Sequence, residues 1–410
     1  MSEIYETIKC CRICGSDNIE EVLNLGEQPP ANSLYRSDEK RPPDVPLRLM
    51  YCQKCSTVQL GEDVDPEYLF GEYLWVTGTS ATAEQYSHEF AKKALSQVVE
   101  HNKSPYIVEI ASNDGTFLKR FIEKGCKVLG IDPAKNIAEL AVKNGIPTKA
   151  DFFTLDLAER LVEKEGKADI VFARNVIPHV KEIHSVIGGI NTLINEGGVG
   201  IIEVHNAGLI LEELHYDYIY HEHLFYYTLK TISGLIEKYG LHVFDVMLSP
   251  ISGGSWVIYF SKNKKEKTKE LIKHEKKELE NNINSYHRWV EFSDQVTVHS
   301  EKLKKMVMQS DKKIPAYGAS ARSSTLLNFC GITNKHISVV IDKNPMKNGL
   351  MTAGSNIPVI SFEDGLKEIK SSEKILLLAW NFQDEIVQEL REAGFSGKFI
   401  IPLPGDPYTL

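Results

Sequence analysis

Between Tyr106 and Val204, short runs of buried-type residues alternate with amphipathic stretches, and no other feature constrains the fold more. Tyr106-Ile-Val-Glu-Ile110 reads as a strand, followed by a turn and a helix around Phe117, Leu118, Phe121 and Ile122. Lys127–Asp132 is the next strand, a helix runs from Ile137 to Val142, and the strands Ala168–Ala173 and Gly198–Val204 continue the series. Such alternation forces a parallel sheet with helices on both faces. His242–Val246 and Ser255–Phe260, separated by a Gly-Gly turn, read as an antiparallel pair that closes it. A second strand-helix series starts at Ile314 and passes through Ile337–Asp342, Lys374–Ala379 and Lys398–Ile401, predicting a smaller α/β unit. Residues 262–313 differ from both. A Lys/Glu run is followed by Leu271, Leu279, Ile283, Trp289, Val296 and Leu303 at helical spacing, which predicts a solvated linking helix.

At 410 residues the chain exceeds a single core. The composition, 42% hydrophobic and 25% charged, is that of a globular protein. A net charge of -9 argues against a nucleic-acid partner. No apolar run approaches the roughly 20 residues that span a bilayer, so no membrane partner is expected. Met-Ser-Glu-Ile-Tyr-Glu lacks a basic region followed by an apolar one, and the expected location is the cytoplasm. Four of the seven cysteines form the pairs Cys11-x-x-Cys14 and Cys52-x-x-Cys55. This is tetrahedral zinc spacing, and four thiolates leave the metal no open position, so the site is structural. The 37 residues between the pairs require an insertion.

Glu109-Ile-Ala-Ser-Asn-Asp-Gly115 joins the first strand to its helix, where backbone N–H groups face a ligand. A dinucleotide turn would carry three glycines; here Ala111 and Asn113 stand in two of those places. Asn tolerates left-handed backbone geometry, so the turn is still feasible. Asp132 ends the second strand, where a carboxylate accepts ribose hydroxyls, and Asp151-Phe152 follows the third, the place of an adenine contact. Asn175-Val-Ile-Pro-His179 ends the fourth strand and faces the same crevice. In the second unit Tyr317-Gly-Ala-Ser-Ala-Arg-Ser323 resembles a phosphate-binding turn with Ser320 and Ser323. Arg322 offers a bidentate cation for a diphosphate, and Asp342 stands at ribose distance. A turn with only a packing role fits the same residues.

Tyr218-Ile-Tyr-His-Glu-His-Leu-Phe-Tyr-Tyr227 concentrates proton-transfer groups. His titrates near neutrality, buried Glu is tuned upward, and Tyr donates to an oxyanion. The cluster predicts a site that removes a proton from carbon or stabilises an enolate.

Together and in this order, these pieces resemble the sugar-nucleotide C-methyltransferases, which methylate C3 of NDP-4-keto-6-deoxyhexoses with S-adenosylmethionine. The resemblance runs from the Cys-x-x-Cys pairs through Glu109–Gly115, Gly130–Asn136, Asn175–Val180 and Tyr220–His223 to Tyr317–Arg322. It implies a zinc-binding module over 1–70 and a Rossmann-like S-adenosylmethionine methyltransferase domain over 71–262. A helical linker over 263–313 and a smaller Rossmann-like α/β domain for the substrate nucleotide over 314–410 would follow. Glu109, Gly115 and Asp132 would hold the donor. His223 would be the base, with Tyr220, Glu222 and His179 beside it, and Tyr73 would close the pocket. His221 is then a structural partner. The chain departs from the family at Trp75 and Ser252, which leaves the sugar and its nucleotide open. A sugar nucleotide is the expected partner, and a monomer the simplest expected state. Two other classes fit part of the pattern: a nicotinamide-dependent oxidoreductase using Gly318 and Asp342, and a non-catalytic zinc-containing scaffold.

Overall fold

The computed structural model describes residues 4–70, 81–98, 104–249, 254–310 and 312–410. Tyr73, Trp75 and Ser252 lie outside the described residues. The first unit contains β1 (Tyr5–Thr7), β2 (Ile19–Gln28), β3 (Val45–Cys52), β4 (Val58–Leu60), β5 (Glu62–Val64) and α1 (Pro66–Phe70). In β3, buried Val45, Leu47, Leu49 and Tyr51 alternate with half-exposed Pro46, Arg48 and Met50. That period of two is what one covered sheet face requires. β2 and β3 occupy the interval between the cysteine pairs.

The central unit follows as α2 (Ala81–Leu95), β6 (Tyr106–Ile110), α3 (Thr116–Ile122), β7 (Lys127–Asp132), α4 (Lys135–Lys143), β8 (Thr148–Ala150), α5 (Leu155–Glu165) and β9 (Ala168–Arg174). It continues with α6 (Ile183–Leu193), β10 (Ile194–His205), α7 (Ala207–Glu213), β11 (Phe225–Tyr226), α8 (Leu229–Glu237), β12 (His242–Ser249) and β13 (Ser255–Ser261). All five residues of β6 are buried, as expected of a strand covered on both faces. The sheet order is β12-β13-β10-β9-β6-β7-β8, parallel from β10 to β8 with β12 and β13 antiparallel. Its switch point lies between β6 and β9, so the ligand crevice opens at the turns after these strands.

β11 does not join this sheet. It pairs with β4, Phe225 opposite Gln59 and Tyr226 opposite Val58, so the first sheet reads β11-β4-β3-β2. The segment predicted to carry the chemistry thus runs into the edge strand of the cysteine-bearing unit.

α9 (Lys269–Glu280) and α10 (Tyr286–Met308) replace the single solvated helix that the charge run predicted. α10 buries Trp289, Phe292, Val296 and Leu303, and Tyr51 donates to the Asn284 carbonyl at 2.8 Å, so this region is packed rather than solvated. The last unit comprises β14 (Ile314–Tyr317), α11 (Ala321–Phe329), β15 (Ile337–Ile341), β16 (Val359–Ile360), α12 (Phe362–Ser371), β17 (Lys374–Leu377), α13 (Gln383–Glu392), β18 (Lys398–Ile401) and β19 (Tyr408–Thr409). Its order is β16-β15-β14-β17-β18-β19, with β19 alone antiparallel. One apolar core joins all three units, from Cys11 and Leu49 through Ile187 and Tyr227 to Trp289 and Ile401. A second, around Phe90, Phe117, Phe172 and Tyr259, fills the other face of the central sheet.

Candidate active site

The turn after β6 is built from three left-handed residues, Ala111 (φ 54°), Asn113 (φ 49°) and Gly115 (φ 79°). A Cβ on Gly115 would lie 2.7 Å from Ile146, so glycine is required there by space as well as by φ. Ala111 holds this geometry against roughly 1–2 kcal/mol of backbone strain, the kind of outlier that clusters at ligand sites. Asp132 pins the turn. Its Oδ2 accepts the Asn113 N–H at 2.9 Å and its Oδ1 accepts the Ala134 N–H at 3.0 Å. Burial raises Asp132 above the ordinary carboxylate range, and those two N–H groups oppose the rise.

Glu109 lies beneath the turn with Oε2 buried and without a hydrogen-bond partner among the described residues, and burial pushes it well up. Phe152 presents an aromatic ring 65% exposed beyond β8, next to Asp151, whose N–H is held by the Asp132 carbonyl at 3.2 Å. Asn175, also left-handed, closes the far side after β9 and donates its N–H to the Glu203 carbonyl at 2.8 Å. An open acceptor, a carboxylate at the second strand end and an exposed ring together fit S-adenosylmethionine.

The second constellation is tighter than its spacing implied. Tyr220 Oη and His223 Nε2 are 2.8 Å apart, and His223 Nδ1 lies 2.9 Å from the Tyr218 carbonyl. A carbonyl only accepts, so Nδ1 carries the proton and Nε2 accepts from the Tyr220 hydroxyl. His179 stands against His223 with ring centroids 4.8 Å apart. Burial, then the neighbouring His179, holds His223 well below the ordinary imidazole range, and burial lowers His179 to about 4. Both rings are neutral at pH 7. Burial drives the Tyr220 phenol well up, helped by the Glu222 charge, so it remains a donor. Burial also raises Glu222 to about 7. His221 turns the other way and donates to the Val45 carbonyl of β3 at 3.2 Å, the structural place expected for it.

Cys11, Cys14, Cys52 and Cys55 bring their Sγ atoms within 4.8 Å of one another. Cys11–Cys55 and Cys14–Cys52 are 3.6 and 3.5 Å apart, close to the about 3.8 Å edge of a tetrahedral zinc tetrathiolate. Sharing a proton with Cys11 lowers Cys55 to about 4 and raises Cys11, the behaviour of crowded thiols that a dication would relieve. The donor set fits zinc. Cys10 is exposed and stands outside the cluster.

The turn of the last unit repeats the Asp132 device. Asp342 Oδ2 accepts the Ala319 N–H and Oδ1 accepts the Asn344 N–H, both at 2.8 Å. Ser320 caps α11 by accepting the Ser323 N–H at 3.2 Å, and the Ser323 hydroxyl returns to the Ser320 carbonyl at 2.6 Å. Arg322 corrects the expectation drawn from sequence: it is not a free cation for a diphosphate. Its Nε and Nη2 meet Asp217 Oδ2 at 3.0 and 2.8 Å, and the guanidinium lies 3.8 Å from the Tyr218 ring and 4.5 Å from Trp380.

Residues 11–70 match the family model for a zinc binding domain, 83–246 that for a methyltransferase domain, and 250–404 that for a C-methyltransferase C-terminal domain. The C-methyltransferase NovU of Streptomyces niveus is 29% identical over 414 residues, which span 98% of this chain and 97% of that protein. The three models together span nearly the whole chain and give it a zinc binding, a methyltransferase and a C-methyltransferase C-terminal domain in that order. Among solved structures, magnesium protoporphyrin IX methyltransferase (ChlM) from Synechocystis PCC 6803 is 11% identical, with 44% of this chain and 80% of that one covered at a TM-score of 0.34. The CcbJ methyltransferase from Streptomyces caelestis is 14% identical, with 43% and 88% covered at a TM-score of 0.33.

Four residues in and around these constellations carried no signal in the sequence. Asn32 donates to Glu222 Oε1 at 2.5 Å from a loop 190 positions upstream. His205, at the end of β10, stacks on Tyr218 at 3.7 Å, and neither ring nitrogen has a hydrogen-bond partner among the described residues. Trp380 Nε1 donates to Asp217 Oδ2 at 2.9 Å, which makes Asp217 the joint between the central and last units. Asp217 sits just before the Tyr-His-Glu-His element, yet only the fold reveals its partners. An Asp217→Ala protein would leave Arg322, only 13% exposed, without its carboxylate, and a loss of up to about 3–5 kcal/mol is expected in urea unfolding. A loss below about 1 kcal/mol would show that Arg322 can turn out to solvent.

Proposed function

We propose that this C-methyltransferase moves the methyl group of S-adenosylmethionine to C3 of an NDP-4-keto-6-deoxyhexose, through an enolate formed at His223. The observation that carries the reading is the Tyr220–His223 pair beside His179, a neutral imidazole acceptor and a phenol donor one hydrogen bond apart. A C–H next to a ketone needs a base within about 3 Å and a donor for the oxygen that gains charge. In this reading the keto sugar enters between the two side chains. His223 Nε2 takes the C3 proton, the Tyr220 hydroxyl turns from His223 to the keto oxygen, and the Tyr218 carbonyl stabilises the imidazolium through Nδ1–H. Bound S-adenosylmethionine supplies an electrophilic methyl on a sulfonium. Glu109, Ala111, Asn113, Gly115, Asp132, Asp151, Phe152 and Asn175 are then the residues that hold the donor and aim that methyl, a positioning task.

The substrate nucleotide would lie against the Ser320–Ser323 turn. Arg322 and Lys347 both enter it as halves of ion pairs, with Asp217 at 2.8 Å and Asp342 at 3.4 Å, and in this reading the looser of the two, Lys347, turns to the diphosphate. Incubation with the donor and a panel of dTDP-, GDP- and CDP-4-keto-6-deoxyhexoses should add the mass of one CH2 to at least one of them. In deuterated water without donor, the same sugar should exchange its C3 hydrogen. Methylation without any exchange would remove the separate enolate step, and no methylation across the panel would remove the substrate class.

A further inference from the structure

The cysteine-bearing unit does more than stand beside the Tyr-His-Glu-His segment. Val45 takes the His221 ring, Leu60 donates its N–H to the Leu224 carbonyl at 2.9 Å, and β4 pairs with β11. A further contact ends on the buried carboxylate of Glu222. Asn32 sits in the loop that follows β2, where the Ser33 N–H reaches the Pro30 carbonyl at 3.0 Å and the Leu34 N–H reaches the Asn32 carbonyl at 2.9 Å. This turned backbone aims the exposed Asn32 amide at Glu222, whose side chain is otherwise buried. Nδ2 donates to Oε1 at 2.5 Å, the hydrogen bond that the Glu222 carboxylate accepts among the described residues.

Among the described residues the other groups around Glu222 are few. Tyr220, His221 and His223 belong to its own segment, His179 and Lys181 come from the turn after β9, and Asp63 comes from β5. Lys181 is drawn away by Asp63 at 3.4 Å and Glu6 at 3.7 Å, and the histidines on both sides are neutral. No full positive charge is thus committed to this carboxylate among the described residues. Among the described residues the Asn32 amide is the group that favours its ionised form.

We propose that Asn32 is a positioning residue of the active site: it orients the Glu222 carboxylate and favours its ionised form. The cysteine-bearing unit thereby supplies part of the proton-handling machinery. Burial is the larger cause, and the ionised carboxylate the next, that hold the Tyr220 phenol protonated, the state in which it donates to a developing oxyanion. This role rests on the enolate reading of the site, whereas the control of Glu222 by Asn32 does not.

Burial alone raises Glu222 and Asn32 opposes the rise, so removing Asn32 should raise it further. A hydrogen bond from an exposed amide to a carboxylate is worth about one pH unit in the titration of its acceptor. The test follows the Glu222 carboxyl by 13C NMR in protein labelled at glutamate carboxyls, assigned by the signal that Glu222→Gln removes. In Asn32→Ala the midpoint should rise by about one unit from about 7, and in Asn32→Asp, which sets a second carboxylate against the first, by more. An unshifted midpoint in both variants overturns the inference.

Methyl transfer gives the second measurement. A rise from about 7 to about 8 leaves about one-fifth of the ionised form at pH 7, so Asn32→Ala should be about fivefold slower there and equal to the parent protein near pH 9. Equal slowing at every pH would mean a merely structural contact. A shifted midpoint with no turnover on any keto sugar would keep the inference and remove the proposed reaction.

Discussion

His223→Ala is expected to lower methyl transfer by about 10²–10⁴-fold, the usual contribution of a positioned general base. Its donor affinity should stay unchanged. The two effects separate because of where the fold puts the groups. The proposed donor crevice is made by the turns after β6, β7, β8 and β9, whereas His223 is held by Tyr218 and Tyr220 of its own segment. The pH profile separates them as well. Burial keeps His223 neutral far below its ordinary value, so its protonation cannot produce an acidic limb near neutrality. A limb near pH 7 belongs instead to Glu222, raised to about 7, with activity gained as pH rises through that value. His223→Ala should therefore lose turnover across the whole range, measured as kcat by product mass with donor affinity from calorimetry. Turnover within twofold of the parent protein would move the base to His179 or Glu222.

The sequence made the fold legible because its rules are local. Buried strands such as β6 alternate with amphipathic helices, and the φ-tolerant Asn113 and Gly115 stand where a left-handed turn was needed. Cys-x-x-Cys spacing is equally local, and the four sulfurs meet as the spacing demanded. What stayed hidden depends on contacts between distant parts of the chain. Arg322 looked like an anion ligand because small residues surround it in sequence, but in space Asp217, 105 positions away, takes its Nε. Asn32 in a Pro-Pro-Ala-Asn loop has no motif, and its role exists only because Glu222 arrives from a different unit. The charge run of α9 suggested a solvated linker because the apolar residues of α10 are spread along its length. Their shared face became a core face once the first and last units closed around it.

Removing zinc should abolish methyl transfer while leaving the donor crevice intact, and the reason is the strand order. Cys52 ends β3 and Cys55 lies in the turn to β4, so the cysteine cluster fixes the hairpin on which β11 docks. Structural zinc contributes about 10–16 kcal/mol to folding in small zinc-binding peptides, as much as or more than the whole stability of an ordinary domain. Without it the hairpin cannot be expected to persist. β11 then loses its partner, and His221, Glu222 and Leu224 lose Val45, Asn32 and Leu60. The Tyr220–His223 geometry would relax with them. β6, β7, β8 and β9 share no strand pairing with the cysteine-bearing unit, so the turn at Gly115 and its Asp132 anchor should survive. A chelated protein, or one carrying Cys52→Ser, is expected to exchange the backbone amides of 45–60 and 224–226 with deuterium far faster than the holoprotein. It should bind S-adenosylmethionine with unchanged affinity and transfer no methyl group. Full turnover in protein shown by atomic absorption to be free of zinc would refute this coupling. Loss of donor binding together with turnover would show that the central sheet depends on the metal as well.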